Sequence, residues 1–213
     1  MAKTVNNGKR TEPQFSFEQV SGSLNRLSRE YRTDGTAFRD EVCSADLSGR
    51  SFHECTFTNV TFEGDLRGVL FADAVFDHCD LSNCRMNETV FRRAVLKHCR
   101  LTGTDLSSST FEDLLVSGCQ CAYTNFNGSR MKRTEFMEDN MTECGLSMCV
   151  LENTSFIRCV LSGAELIDTK LAGIDFSDST IDGISVTAEM VRGVVVNEEQ
   201  AVAFAKLLGI IVR

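Results

Sequence analysis

The sequence predicts an all-β solenoid, and three observations predict it. From Phe71 to Val186 an apolar centre returns at every fifth position without a slip, from Phe71, Phe76, Leu81 and Met86 to Phe176, Ile181 and Val186. Two residues before each centre stands a compact side chain, mostly Ala, Cys, Ser, Thr or Val, while the other three positions are polar or charged. A period of five fits neither the 3.6-residue helix nor the 2-residue strand. One such unit cannot bury its own apolar residue. A stack of coils can, along a continuous inner column.

The ends depart from this pattern and divide the chain into segments 1–36, 37–190 and 191–213. Residues 1–14 are polar, contain the single proline, Pro13, and read as a flexible tail. From Phe15 to Tyr31, Val20, Leu24, Leu27 and Tyr31 fall at helical spacing, with Glu18, Arg26, Arg29 and Glu30 between them. This spacing predicts a short amphipathic helix, despite Gly22, that closes the first coil or binds a partner. Repeats begin weakly near Phe38, and Leu47, Phe52, Phe57 and Phe62 are five apart. The next centre is Leu66, one residue early, which predicts a kinked or bulged corner. After Val186 the step of five lapses. Asn197 then suits an N-cap, Glu198 and Glu199 suit a first helical turn, and Gly209 suits a stop. Ala201, Phe204, Ala205 and Leu208 make one apolar stripe, followed by Ile210, Ile211 and Val212. So apolar a finish predicts a two-fold interface formed by these seven residues.

The formal net charge of −8 and a pI near 5.0 weigh against direct binding of nucleic acid or anionic membrane. No apolar run is long enough for a membrane helix, and the first residues lack the apolar core of a signal peptide, so a cytoplasmic location is expected. Of ten cysteines, Cys79, Cys84, Cys99, Cys119, Cys144, Cys149 and Cys159 sit two residues before a centre, and Cys55 does so in the lead-in. There they alternate with Ala, Ser and Thr, as reduced packing thiols would.

The fives resemble the pentapeptide-repeat family. Ala45-Asp46-Leu47-Ser48-Gly49, Cys79-Asp80-Leu81-Ser82-Asn83 and Thr124-Asn125-Phe126-Asn127-Gly128 carry the likeness. The resemblance implies a right-handed, four-sided β-helix with one pentapeptide per side, so residues twenty apart stack. A Phe-rich column is then expected at Phe76, Phe136, Phe156 and Phe176, interrupted by Leu96 and Val116. Arg92, Glu112, Lys132 and Glu152 become a charge ladder, with Arg93, Asp113 and Arg133 beside it. The basic pairs at 92–93 and 132–133 are therefore structural, not a nucleic-acid site.

Charge is uneven along the rod. Residues 45–133 hold 11 acidic and 10 basic residues, whereas residues 134–190 hold 11 acidic residues and only Arg158 and Lys170. Within the family the chain is similar to the quinolone-resistance (Qnr-type) and related topoisomerase-interacting members. That likeness rests on length, a near-complete solenoid and a C-terminal helix with an apolar tail. It implies a homodimer whose acidic surface mimics duplex DNA and binds DNA gyrase or topoisomerase IV. Glu135, Glu138, Glu143, Glu165, Asp168, Asp175, Asp178 and Asp182 would form that surface. Many Qnr-type proteins carry two loops that interrupt the repeats, and nothing interrupts Leu66 to Val186 here. The alternative is a scaffold for an unrelated protein partner.

No phosphate loop, nucleophile elbow or His-Glu-x-x-His pattern occurs, so no enzyme and no cofactor is expected. His78 and His98, twenty apart, offer two ligands, too few for zinc, so no metal is expected either. Asp139 occupies an inward slot, where a charge is costly unless hydrogen-bonded.

Overall fold

Burial follows the step of five. Among the centres from Phe71 to Ile181 all are buried except the half-buried Leu151, and so is every residue two positions before a centre from Val69 to Ile184. The computed structural model describes residues 9–16, 18–27, 31–207 and 209–212. It is a parallel β-solenoid of about eight coils with one C-terminal helix. The eight-residue strands Leu70–Asp77, Val90–Lys97 and Thr110–Ser117 each run along two sides and turn a corner between them. They pair in parallel with a register of twenty, Phe71↔Phe91↔Phe111 and Phe76↔Leu96↔Val116.

Each corner follows from a backbone choice two residues after the centre. Asp73, His78, Asn83, Glu88, Arg93 and His98 all have φ between 48° and 61°, the left-handed region. Such a residue costs roughly 1–2 kcal/mol unless glycine, so the coil imposes the turn on side chains that do not favour it.

The slot two residues before a centre has its own hydrogen-bond role. Thr104 and Thr124 Oγ1 donate to the carbonyls of Leu81 and Leu101, each at 2.7 Å, and Ser129 Oγ to that of Leu106 at 2.9 Å. The acceptor is the centre 23 residues earlier, on the coil below. Ser129 Oγ also accepts from the backbone N–H of Ser109 at 3.0 Å, and Ser179 Oγ from that of Cys159 at 3.0 Å. Cysteine does the same more weakly: Cys119 Sγ accepts from Cys99 N at 3.3 Å, and Cys149 Sγ donates to the Phe126 carbonyl at 3.2 Å. The slot therefore takes a small side chain that can both donate and accept. All ten cysteines are free and buried.

Phenylalanine fills two columns, not one. Phe52, Phe71, Phe91 and Phe111 stack at 5.5, 5.1 and 5.8 Å. Beside them Phe38, Phe57 and Phe76 stack at 5.2 and 4.5 Å, edge-on to the first column at Phe71 and Phe76. Above the gap at Leu96 and Val116 the second column resumes with Phe136, Phe156 and Phe176.

Below Leu66 the coils are one residue shorter. Thr33↔Phe52, Phe38↔Phe57, Cys43↔Phe62 and Phe52↔Phe71 are nineteen apart. The single expected deletion is thus two short corners, 44–46 and 63–65, lying one on the other. Gly64 makes this possible, since a Cβ there would sit 2.0 Å from the Ala45 carbonyl oxygen.

The N-terminal helix expected from Phe15 to Tyr31 is absent among the described residues; positions 17 and 28–30 lie outside them. Val20–Gly22 is a strand paired with Thr36–Arg39, and Leu24–Arg26 is a single 3-10 turn. Of the apolar stripe, Leu24 is buried and Val20 and Tyr31 are exposed. An open sheet edge offers a row of backbone partners that a helix cannot use, and Gly22 both weakens a helix and allows the close approach to Thr36, where an added Cβ would lie 2.5 Å from Thr36 Cγ2. Glu41 completes the cap, accepting from Leu24 N at 3.0 Å and Ser23 Oγ at 2.8 Å. Residues 9–14, expected to be part of a flexible tail, are seated on the solenoid as described below.

At the other end the step of five does not lapse at Val186. Val191 and Val196 pack against the core, and Phe176 N donates to the Val195 carbonyl at 2.9 Å. The expected helix, α1, spans Glu198–Leu207. Asn197 Oδ1 accepts from Gln200 N at 3.0 Å and Gln200 Oε1 from Asn197 N at 2.9 Å, a reciprocal capping box. Gln200 Nε2 then donates to the Phe176 and Ser179 carbonyls at 2.9 and 2.7 Å, closing the top coil.

Thr134 Oγ1 is buried in the same slot without a partner. Replacing Thr104 with valine should therefore lower stability by about 1 kcal/mol, while Thr134→Val should be neutral or stabilising. Paired denaturant titrations compare them directly, and equal losses would refute the ladder's role.

Candidate interaction surface

Because outer residues point away from every side in turn, the fold displays charge all round the rod. From residue 134 to the end there are 13 acidic and 5 basic residues, so the whole formal −8 resides there. The eight residues expected to form the acidic surface do not share one side. Glu165 precedes the centre Leu166, Glu135 and Asp175 precede the centres Phe136 and Phe176 on another side, and Asp182 follows Ile181 on a third. Glu138, Glu143 and Asp168 sit at left-handed corners, and Asp178 occupies the equivalent place after Phe176.

Several are already engaged. Arg158 Nη2 lies 2.6 Å from Glu138 Oε1, and Arg10 Nε lies 3.5 Å from Glu135 Oε2. Glu143 accepts from the Tyr123 hydroxyl at 3.4 Å, Asp168 from Thr187 Oγ1 at 3.1 Å, and Asp175 from Ser177 N at 2.9 Å. The C-terminal half is thus a ring of acidic groups around the axis and not a stripe along it.

The N-terminal half is neutralised from within. Glu112 bridges Arg92 at 3.5 Å and Lys132 at 3.6 Å, realising the first three rungs of the expected ladder, while Glu152 is in register with Lys132 on the next coil. Arg93 pairs in bidentate fashion with Asp73, and Arg133 with Asp113 at 2.7 and 2.8 Å. The Arg133 guanidinium holds both Asp113 and Glu112 below the usual carboxylate range. The basic pairs at 92–93 and 132–133 are occupied by these contacts.

One feature here has no sequence signature. An extended strap climbs this corner against the coil direction. Ser16 N donates to Glu54 at 2.5 Å, Gln14 N to Asp73 at 3.0 Å and Thr11 N to Asp113 at 3.0 Å. Gln19 ties its base, accepting from Thr56 Oγ1 at 2.8 Å and donating to the Glu54 carbonyl at 2.9 Å. Arg10, at the far end, also pairs with Glu12.

The terminal apolar residues divide. Phe204 is buried in the same cluster as Ile181 and Ile184, so it serves its own chain instead of the exposed stripe. Ala205 is half-buried and Ala201 exposed. Ile210, Ile211 and Val212 are exposed, Ile211 at 84%, and Leu208 lies outside the described residues. Beside α1 a largely apolar cavity of about 300 Å³ is lined by Ile181, Ile184, Ala203 and Leu207. A second exposed apolar group, Met148, Val150 and Ile167, lies near a cavity of about 590 Å³ lined by Met148, Leu151 and Lys170. Cys149, Glu152 and Asp168 also line the second cavity, where burial pushes the Cys149 thiol up to about 11. Among the described residues one group of potential metal ligands forms, at Asp77, His78 and His98.

Two family models match the chain, one described as a pentapeptide repeat region over residues 69–144, the other as pentapeptide repeats (8 copies) over residues 140–178. Together they run through more than half of it. The chain belongs to the pentapeptide-repeat family. No curated protein matches it. Among solved structures, a trypsin-treated variant of QnrB1, a plasmid-mediated fluoroquinolone resistance protein, is 21% identical, with 91% of this chain and 95% of that chain covered and a TM-score of 0.44. HetL, a pentapeptide-repeat protein involved in heterocyst differentiation regulation from a Nostoc cyanobacterium, is 15% identical, with 77% and 91% covered and a TM-score of 0.51. At these identities the likeness is one of fold.

Asp139 stands in the inward slot of this family fold. Its carboxylate accepts from Cys119 N at 2.7 Å and from Met137 N at 3.0 Å. Burial dominates nonetheless and pushes the carboxyl from 3.8 up to about 7. Between those values the unfolded chain has released the proton and the folded chain keeps it, so stability falls as pH rises through that window and levels off above it. Asp139→Ser, which places Ser129's group here, should abolish this loss and stabilise the protein at neutral pH by about 1–3 kcal/mol. Urea unfolding of both proteins across the window measures it, and parallel pH profiles would refute the assignment.

Proposed function

We propose that this pentapeptide-repeat protein is a non-enzymatic binding protein whose acidic C-terminal half occupies the DNA-binding groove of a type II topoisomerase, DNA gyrase or topoisomerase IV. One observation carries the reading: the entire net charge of −8 belongs to residues 134–213, and its carboxylates, apart from the buried Asp139, lie on every side of a narrow rod. A duplex likewise presents negative charge all round its axis, about one per 1.7 Å. Parallel coils rise about 4.8 Å each, so the match is one of sign and shape, at lower density.

A homodimer, joined through the exposed Ile210, Ile211 and Val212, is part of the reading. It would set two acidic halves end to end. A cytoplasmic location accords with ten free cysteines. Protection from quinolones would follow if the bound protein excluded DNA from the cleavage complex.

The exposed Met148, Val150 and Ile167 favour a second reading, a scaffold for an unrelated protein held by apolar contact. Supercoiling and quinolone-induced cleavage assays with purified gyrase and topoisomerase IV distinguish the two. The first reading expects salt-sensitive interference at micromolar protein, weakened about tenfold or more by combined Asp168→Lys, Asp178→Lys and Asp182→Lys. No effect on either enzyme sinks it. For the dimer, Ile211→Glu should reduce the mass in light scattering from twice 23.6 kDa to one protomer, and an unchanged mass refutes that interface.

A further inference from the structure

We propose that Asp77, His78 and His98 form a surface binding site for a divalent transition-metal ion of the zinc, nickel or copper type. The sequence offers two histidines twenty apart, and the fold adds the third ligand. Strands Leu70–Asp77 and Val90–Lys97 lie on adjacent coils in a register that pairs Asp77 with Lys97. The next residue of each strand is His78 or His98, both in the left-handed corner conformation, with φ of 56° and 51°. The corner turns both imidazoles to the same side. Their rings lie 4.9 Å apart at 35°.

Both rings offer Nδ1 to one carboxylate oxygen. His78 Nδ1 is 2.7 Å from Asp77 Oδ1, and His98 Nδ1 is 3.7 Å from that same atom. One ligand atom from each residue lies within 4.8 Å of the others. Metal–nitrogen distances near 2.0–2.1 Å place tetrahedral ligand atoms roughly 3.3 Å apart, so small side-chain rotations complete the set. Two imidazoles and one carboxylate suit zinc, nickel or copper and not the harder magnesium or calcium.

The surroundings permit it. The side chains of Asp77, His78 and His98 are 43%, 64% and 60% exposed, so water can fill the remaining coordination positions and little desolvation is required. On the next coil the equivalent corner is Gly118, where a Cβ would stand 3.1 Å from His98 Cδ2. Glycine leaves that face of His98 unobstructed. The buried cysteines do not compete: burial raises the thiols of Cys84, Cys144 and Cys159 to about 12. A bound ion would clip two neighbouring coils together from outside.

The test is calorimetric titration of the full chain with Zn2+ and Ni2+, and electron paramagnetic resonance with Cu2+. His98→Asn and Asp77→Asn are the variants: Asn59, Asn83 and Asn153 already occupy left-handed corners like that of His98, and asparagine matches the shape of Asp77 in its strand. Wild-type protein should bind one ion per chain at micromolar concentration, and either variant should weaken binding about tenfold or more. The Cu2+ spectrum should show two coupled imidazole nitrogens in the wild type and one in His98→Asn. No saturable binding, or equal affinity and an unchanged spectrum in His98→Asn, overturns the proposal.

Discussion

Everything in this structure depends on one buried slot, the position two residues before each apolar centre. It faces the axis, so it must be small. It also faces backbone groups that the strand ladder leaves open, an N–H twenty residues earlier and a carbonyl twenty-three residues earlier. Ser109, Ser129 and Ser179 serve both. Alanine at 74, 94 and 164 meets the size limit alone, and cysteine adds a weak polar contact. In a dry interior an unmet polar group is expensive, so this slot, more than the large centres, determines which sequences can close a coil. Phe, Leu, Met, Val and Cys all serve as centres, whereas the slot changes character at a cost, as Asp139 shows.

Most of the solenoid was legible because its signal is local and repeated. The register of twenty, the inward cysteines and the Arg92–Glu112–Lys132 ladder could be read by counting. Helix α1 was legible from Asn197, its acidic first turn and Gly209. What could not be read depends on contacts with no period. Val20, Leu24, Leu27 and Tyr31 have helical spacing, yet the unpaired edge of the first coil draws Val20–Gly22 into a strand. The strap of residues 9–16 depends on carboxylates as far as Asp113, and no local pattern announces it. The left-handed corners carry His, Glu, Arg, Tyr and Met as readily as glycine, because the coil on either side dictates the turn.

The candidate surface was legible in part. Charge totals locate an acidic C-terminal half, but a total has no direction. Folding in twenties sends Glu135, Glu165 and Asp182 to different sides, and it pairs Glu138 with Arg158 across adjacent coils. Gln200 was hidden for a related reason. It reads as an ordinary helix residue, and only the open carbonyls of the last coil give it a second task. The third ligand at Asp77 was likewise invisible, because its relation to His98 exists only once two coils lie side by side.

The strap changes how this rod should respond to local damage. In a stack where each coil meets only its neighbours, one end can loosen while the other persists. Here a single segment is bonded to Glu54, Asp73 and Asp113 and reaches Glu135 through Arg10, so coils far apart in the stack share one ligand of their own chain. Opening any of them releases part of the same strap and loosens its hold on the others. A fold that is one-dimensional by construction thereby gains a link between distant coils, through which residues 10–16 couple the coils of the N-terminal half.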